Sequence, residues 1–409
     1  MTKTTQRLDR GVHPETFDAE RFSSAIRQLA PAFKARAAAT EKNCTVAPEN
    51  ISALREIGFF KLVQPRAFGG YEQDFAMLVD LTTEIAKSCA ATAWVCGLLA
   101  AHQWLLASFA VEAQHDVWDV NPEALLCGSY APVVKADAVA GGYRLTGRWG
   151  FASGCDNATW AFCAALLPPA AESGPLTPAF LLIPATDYAI EDTWQVIGLA
   201  GTGSKTLVLN DVFVPARRIL TFQQTTSGKT PGAEVYARNP TFGVPMLCNI
   251  PSCLAAVAVG AASGALDDYL AATSRRVTRG AIAGASNRMA EFATVQLRVA
   301  DAAASADAAR EILLRDVRDC ARALREGREV TVEDRITCRR GQAFAVSLAI
   351  RATEALNAST GGLGLDLSNP VQRAWRDANA VGRHISMNWD VVGTMYGQLV
   401  LGLQPVGQY

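Results

Sequence analysis

The sequence carries little charge and no excess of either sign, since 19% of its residues are charged and the formal net charge is −1. This balance argues against nucleic-acid or anionic-membrane partners, which attract clustered basic residues. Residues 1–15 lack the apolar core of a secretory signal, and the ten cysteines include no CxxC pair. We therefore expect a cytoplasmic protein with buried, reduced thiols and no metal.

Apolar residues, in contrast, make up half of the 409 residues. A chain of this length exceeds one small core, so two or three packed regions are expected. The apolar segment 250–266 is rich in Ala and Gly and is followed at once by Asp267 and Asp268. That composition predicts a buried helix rather than a membrane span.

The periodicity of the apolar residues divides the chain into three regions. Residues 1–124 show helical spacing, and residues 239–409 show long helical patterns joined by short loops, which predict a four-helix bundle. Residues 125–238 instead alternate in polarity, with turns such as Gly141–Gly142 between β-like runs, which predicts a β-barrel or sandwich. The fold class is therefore mainly α with a central β domain.

Four segments in order along the chain resemble signatures of the acyl-CoA dehydrogenase superfamily. They are residues 60–71 (FKLVQPRAFGGY), 197–215 (IGLAGTGSKTLVLNDVFVP), 291–301 (EFATVQLRVAD) and 358–378, which contains STGGLGL and QRAWRDA. The resemblance covers nearly the whole chain. It implies an acyl-CoA-dehydrogenase-like fold, with an N-terminal helical domain, a middle β domain and a C-terminal bundle.

Three further segments resemble the two-component flavin-dependent monooxygenases of that superfamily, typified by the 4-hydroxyphenylacetate 3-hydroxylase oxygenase and its phenol and indole relatives. They are residues 93–104 (AWVCGLLAAHQW), 147–154 (GRWGFASG) and 384–390 (HISMNWD). Dehydrogenases carry a base Glu after the Arg-Asp pair, whereas no carboxylate follows Arg376–Asp377 in residues 378–387. Asp267 and Asp268, near the alternative position of that base, keep an FAD-bound acyl-CoA dehydrogenase as a second interpretation. A catalytically silent flavin-binding homologue is the third.

The monooxygenase resemblance implies that reduced FMN or FAD and dioxygen form a flavin C4a-hydroperoxide, which hydroxylates a small phenolic or indolic substrate. No Rossmann GxGxxG fingerprint follows a strand, so the reduced flavin is expected from a separate NAD(P)H:flavin reductase. FMN or FAD, the substrate, and oxidation at carbon, sulfur or nitrogen stay open at this point.

Histidine and tryptophan side chains are the expected substrate contacts. By resemblance, His384, on a predicted helix, is the base that accepts the phenol proton, since an imidazole with a pKa of about 6.5 does this at neutral pH. His102 is expected to reach the polar group of the substrate, with Trp94 and Trp104 beside it on one apolar helix. The alternative for His384 is a core histidine bonded to the backbone, and the alternative for His102 is a buried histidine with aromatic neighbours.

The expected flavin contacts come from the same resemblance. The hydroxyl of Ser153 is predicted to contact flavin N5, where it would also serve catalysis. Trp149 belongs to the same motif, and Ser129 is placed at a second edge of the flavin. The alternative for Ser153 is an ordinary turn serine before Gly154.

A second set of flavin contacts is expected across a subunit interface. Arg276 and Arg279 occupy the place where the family holds a neighbour's flavin, although an aromatic residue is usual at the second position. Gly361 and Gly362 would open backbone N–H groups to a phosphate. Arg276, together with the apolar bundle, predicts a homotetramer, or at least a dimer.

Overall fold

The computed structural model describes residues 17–169, 174–278 and 287–409. Its first part is helical, as predicted. The helices are α1 (Ala19–Lys42), α2 (Pro48–Glu56), α3 (Phe75–Ala86), α4 (Ala90–Ala107) and α5 (Val111–Trp118). Every residue of α4 is buried. This helix is therefore packed on all sides, and its polar side chains need partners inside the protein.

The described residues of the middle part form eight strands in two four-stranded sheets. The strands are β1 (Leu126–Ser129), β2 (Asp137–Val139), β3 (Gly142–Ala152), β4 (Trp160–Leu167), β5 (Thr177–Pro184), β6 (Ala189–Glu191), β7 (Lys205–Pro215) and β8 (Ile219–Thr221). One sheet has the order β1-β4-β5-β8 and the other β2-β3-β7-β6. The predicted hairpin is present, because Val139 pairs with Gly142 and Gly141 adopts φ +79°. Apolar side chains from both sheets, among them Trp149, Cys163 and Leu181, share one buried core.

Short helices α6 (Phe222–Ser227) and α7 (Pro231–Val235) lead into the C-terminal helices. These are α8 (Met246–Thr273), α9 (Ala293–Arg325), α10 (Val332–Asn357), α11 (Pro370–Gly382) and α12 (Trp389–Val400). The predicted four-helix bundle consists of α8, α9, α10 and α11, which pack against one another.

Helix α8 also joins the bundle to the N-terminal helices, because it packs against α3 and α4. Small residues permit this close approach. A Cβ atom at Gly260 would lie 2.2 Å from the carbonyl oxygen of Thr83, and one at Gly264 would lie 2.1 Å from that of Lys87. Both α4 and α8 are long and apolar enough to cross a membrane, yet most of their apolar residues are buried inside the protein. They are core helices, as predicted for residues 250–266.

The last predicted helical stretch, residues 370–403, is interrupted. Helix α11 ends at Gly382, a 3₁₀ turn covers Ile385–Met387, and α12 begins at Trp389. Asn388 caps α12, because its side chain accepts hydrogen bonds from the N–H groups of Asp390 and Val391. The prediction that His384 lies on a helix is therefore wrong: it lies in the connection before the 3₁₀ turn.

The ten cysteines all lie in the described part of the chain and are free thiols. Nine are buried, and Cys44 is partly exposed. The prediction of reduced, buried thiols is thereby confirmed for nine of them.

Candidate active site

Three of the predicted site residues meet where α4, the end of β3 and the connection after α11 come together. The indole Nε1–H of Trp94 donates to the hydroxyl oxygen of Ser153 at 2.9 Å. The same indole lies edge-on against the imidazole of His384, with ring centroids 5.9 Å apart and ring planes inclined at 65°. Trp94 is 7% exposed and Ser153 is 6% exposed. The structure therefore places the predicted flavin contact and one predicted substrate contact side by side.

The hydroxyl of Ser153 belongs to a chain of hydroxyl groups. Its Oγ lies 2.7 Å from Oγ of Ser204, which lies 2.7 Å from Oγ1 of Thr202. Thr202 donates in turn to the carbonyl oxygen of Leu199 at 2.8 Å. All three hydroxyl-bearing residues are buried. Sequence reasoning missed Ser204 and Thr202, because serine and threonine in a β-region loop carry no periodic signal.

This loop is fixed from the helical side. The N–H of Leu199 donates to the carboxylate of Asp377 at 2.6 Å, and Arg376 donates to the carbonyl of Ile197 at 2.7 Å. Burial raises the pKa of Asp377 to about 6, although the Leu199 N–H and Arg376 act against this. Arg376 also pairs with Glu41 of α1. The Arg-Asp pair that the sequence marked as a family signature therefore holds the loop next to Ser153.

His102 offers an unused acceptor. Its Nδ1 lies 2.6 Å from the carbonyl oxygen of Leu126. A carbonyl only accepts, so Nδ1 carries the proton and Nε2 keeps a lone pair. Nε2 is buried and has no hydrogen-bond partner among the described residues. Burial lowers the pKa of His102 to about 4, so the ring is neutral at pH 7.

His384 has the opposite tautomer. Its Nδ1 accepts from the backbone N–H of Ser386 at 3.2 Å, so the neutral ring carries its proton on Nε2. Burial, and then the nearby guanidinium of Arg339, lower the pKa of His384 to about 4. Arg339 is held there by its hydrogen bond to the carbonyl of Ser386, 2.8 Å away. The expectation of a pKa near 6.5 is therefore wrong, and the ring presents a donor.

Two predicted tryptophans are not brought to this cluster. Trp104 follows His102 by two residues, which on a helix is a rotation of about 200°, and its Nε1–H donates to the carbonyl of Thr241 at 2.8 Å. Trp149 points into the β-domain core, where its Nε1–H donates to the carbonyl of Ala164 at 2.8 Å. Each indole has its one donor satisfied by backbone, as expected of core residues.

A β-bulge in the segment 147–154 turns Phe151, and not Trp149, towards the surface. The pairing of β3 with β7 shifts between Trp149 and Ala152, both of which point inward. Phe151, inside the bulge, adopts φ +62° and is 77% exposed. Its ring lies 5.9 Å from that of Trp194. Phe151, which sequence reasoning missed, is thus the aromatic surface next to Ser153, and a non-glycine residue at positive φ is the strain typical of functional sites.

Ser129 lies close to the same bulge. Its hydroxyl donates to the carbonyl of Gly150 at 2.7 Å, and the residue is 6% exposed. Ser129 therefore lies next to the bulge that carries Phe151, and its oxygen keeps lone pairs that can accept a hydrogen bond.

The predicted phosphate contacts also meet. Arg276 donates to the carbonyl of Thr360, and its Nη2 lies 3.2 Å from where a Cβ atom at Gly361 would be. Gly361 adopts φ +65°, and both Gly361 and Gly362 are exposed. An accessible guanidinium beside exposed glycine backbone suits a phosphate. Arg279 lies outside the described residues.

An exposed aromatic ring beside a buried serine oxygen suits the ring system of a flavin, and the separate basic glycine loop suits the phosphate of a flavin. The buried lone pair of His102 suits a hydroxyl that a small substrate would donate. Among the described residues, no side chain or backbone group donates a hydrogen bond to Nε2 of His102.

The chain belongs to the acyl-CoA dehydrogenase family. The model for the N-terminal domain of acyl-CoA dehydrogenase matches residues 16–118, and the model for its C-terminal domain matches residues 252–389. Within that family it resembles oxygenases. It is 62% identical to the FADH(2)-dependent resorcinol hydroxylase, oxygenase component, of Rhizobium sp. (strain MTP-10005), over 95% of this chain and 96% of that protein.

Further relatives agree. The chain is 31% identical to the p-hydroxyphenylacetate 3-hydroxylase oxygenase component of Acinetobacter baumannii, over 96% of this chain and 92% of that protein. The crystal structure of the 3-HSA hydroxylase from Rhodococcus sp. RHA1 superposes with a TM-score of 0.89 at 34% identity, covering 96% of this chain and 100% of that one. The predictions of fold, family and a reduced-flavin-dependent aromatic monooxygenase are confirmed.

Proposed function

We propose that this oxygenase component hydroxylates resorcinol or a closely related small phenol. The observation that carries the proposal is the unpartnered Nε2 of His102, a buried acceptor placed for a phenolic O–H. The 62% identity with an oxygenase named for resorcinol supports the choice of substrate. An acyl-CoA dehydrogenase is disfavoured, because residues 378–387 carry no carboxylate.

The chemistry of resorcinol suits such a site. Its two hydroxyl groups, meta to each other, both donate electron density to the carbon that is para to one and ortho to the other. Oxygen transfer to that carbon gives 1,2,4-trihydroxybenzene. One atom of O₂ enters the ring, the other leaves as water, and the two electrons come from reduced flavin, which ends oxidised.

The chain's own residues divide the work of holding the reactants. Phe151 would offer an aromatic face to a bound flavin ring, Ser153 would hydrogen-bond its N5 position, and Ser129 would hold a neighbouring edge. When bound, the reduced flavin supplies the two electrons that activate dioxygen. The buried surroundings of Trp94 exclude water from this edge, which limits wasteful release of hydrogen peroxide.

The two histidines act on the substrate in complementary ways. His102 accepts the hydrogen bond of a substrate O–H at Nε2 and draws its proton away as the ring becomes more nucleophilic. His384 donates from Nε2 and stabilises negative charge on the substrate oxygen. In this arrangement His102 is the base. His384, which the sequence predicted to be the base, instead donates a hydrogen bond to the substrate.

The partner is a separate flavin reductase, as the term oxygenase component in the names of the relatives implies. We further propose a homotetramer. Leu363, Leu365 and Leu367 are 67%, 83% and 69% exposed beside the Gly361 loop, an apolar surface that a second copy would cover. The flavin phosphate held by Arg276 would then belong to the neighbouring subunit's site.

The test combines the purified chain with any NAD(P)H:flavin reductase and follows resorcinol by mass spectrometry. We expect a product heavier by one oxygen atom, labelled when ¹⁸O₂ is supplied. His102→Ala should abolish product and release peroxide, whereas His115→Ala, a partly exposed histidine bonded to Asp119, should not. Failure of wild type to convert resorcinol or any related phenol would refute the proposal.

A further inference from the structure

The hydrogen bonds of the hydroxyl chain behind Ser153 favour one direction. The carbonyl oxygen of Leu199 accepts from the hydroxyl of Thr202, and also from Nε1–H of Trp194 and the backbone N–H of Thr202. With the hydroxyl proton of Thr202 on this carbonyl, all three hydroxyl protons of the chain have acceptors, whereas the reverse direction leaves the proton of Ser153 without one among the described residues. Thr202 therefore accepts from Ser204, because each hydroxyl has one proton. Because Ser204 donates its only hydroxyl proton to Thr202, it accepts a hydrogen bond from Ser153.

The same count fixes what Ser153 offers. Its proton points to Ser204, and one of its two lone pairs accepts the indole N–H of Trp94 at 2.9 Å. One lone pair is left. Ser153 thus faces its ligand only as an acceptor.

We propose that Ser204 and Thr202 are positioning residues that make Ser153 a one-way acceptor, so that the site selects reduced flavin over oxidised flavin. This inference rests on the proposed role of Ser153 at the flavin. Reduced flavin carries a proton on N5 and donates to the remaining lone pair. Oxidised flavin carries a lone pair on N5, which faces the lone pair of Ser153 and is repelled.

Such selection suits an oxygenase that receives its flavin from another protein. Reduced flavin enters, and oxidised flavin leaves without competing strongly for the site. The carboxylate of Asp377, which accepts from the N–H of Leu199, holds the fixed end of the relay in place.

The experiment is an anaerobic titration that measures the dissociation constants of FAD and FADH₂ separately. Wild type should bind FADH₂ more tightly. Ser204→Ala or Thr202→Val releases the proton of Ser153, which then donates to N5 of oxidised flavin. We expect the ratio of the oxidised to the reduced dissociation constant to fall by about three- to tenfold, the worth of one hydrogen bond.

Two variants serve as matched controls. Thr202→Ser keeps the hydroxyl and should restore the wild-type ratio. Thr206→Val removes a buried hydroxyl outside the relay, at the start of β7 and bonded to Thr193, and should leave the ratio unchanged. An unchanged ratio in both Ser204→Ala and Thr202→Val, or an equal fall in Thr206→Val, overturns the proposal.

A ligand analogue tests the same idea in wild type if those variants do not fold. Oxidised 5-deaza-FAD has a C–H group in place of the N5 lone pair. An acceptor-only Ser153 should bind it more tightly than oxidised FAD, whereas a donating Ser153 should bind it more weakly, and that result would contradict the relay. Conversion of resorcinol by wild type is measured independently, so failure of the relay and failure of the proposed function are distinguishable.

Discussion

Two neutral histidines inside the active site should make this protein sensitive to acid, by an amount that follows from their pKa values. The pKa of His102 and that of His384 are each lowered to about 4 in the folded chain, mainly by burial. An unfolded histidine has a pKa of about 6.5. The unfolded state therefore binds more protons below pH 6.5, and the stability contributed by each depressed pKa is lost as pH falls from about 6.5 towards 4.

The loss is large enough to measure. Between pH 8 and pH 5, protonation stabilises an unfolded imidazole by about 2 kcal/mol and the folded one by only about 0.1 kcal/mol. Each histidine thus costs about 2 kcal/mol over this range. Asp377 and Asp316, whose pKa values burial raises to about 6, act in the opposite sense, since their folded forms gain protons first as pH falls.

Comparison with variants isolates the histidines, because the aspartates are common to both proteins. His102→Gln and His384→Gln are expected to be less stable than wild type at pH 8, since each loses a fitted ring. Between pH 8 and pH 5, however, each should lose about 2 kcal/mol less than wild type in urea unfolding followed by tryptophan fluorescence. His115→Gln is the surface control. A wild-type-to-variant gap that is the same at both pH values would show that these rings are not buried as neutral species.

Three further predictions concern the flavin, the core and the electron source. Phe151→Ala should weaken FADH₂ binding by about tenfold, because an exposed aromatic face is lost, with little change in the unfolding free energy. Trp149→Phe should leave FADH₂ binding unchanged and destabilise the fold by about 1–3 kcal/mol. Equal effects of the two substitutions on FADH₂ binding would refute the assignment of Phe151 to the flavin site. Trp104→Phe should likewise lower stability by about 1–3 kcal/mol through loss of its bond to Thr241, while the KM for resorcinol stays unchanged; a raised KM would return Trp104 to the substrate site. The pure chain should not consume NADH until a flavin reductase is added, and consumption without one, followed at 340 nm, would reveal a dinucleotide site that the sequence lacks.

The sequence was informative where the pattern is periodic or where a motif is contiguous. Helical spacing and alternation predicted the three regions, and the motif around Ser153 led to a residue that lies beside Trp94 and His384. These features depend on local preferences that neighbouring residues share. They were therefore visible without knowledge of the tertiary structure.

Other features depend on backbone detail that residue types do not encode. The bulge in β3 turns Trp149 inward and Phe151 outward. The motif 147–154 therefore did lead to the candidate site, but Trp149, the aromatic residue predicted to contact the flavin, lies in the β-domain core instead. The tautomer of His384 depends on the N–H of Ser386, which becomes available only because the chain leaves α11 before it. Hydrogen bonds between distant segments, such as that of Leu199 to Asp377, have no signature in a single sequence.

The distribution of cysteines has a consequence for an enzyme that handles activated oxygen. Imperfect coupling releases hydrogen peroxide inside the protein that makes it, and thiolates are the groups that peroxide oxidises first. Burial raises the pKa of Cys96, Cys163 and Cys253 well above the usual thiol value, so these sulfurs stay protonated and react slowly. Cys320 is the exception among the buried thiols, because its hydrogen bonds with Cys248 and Cys338 lower its pKa to about 5. Oxidation is therefore expected first at the partly exposed Cys44 and at Cys320.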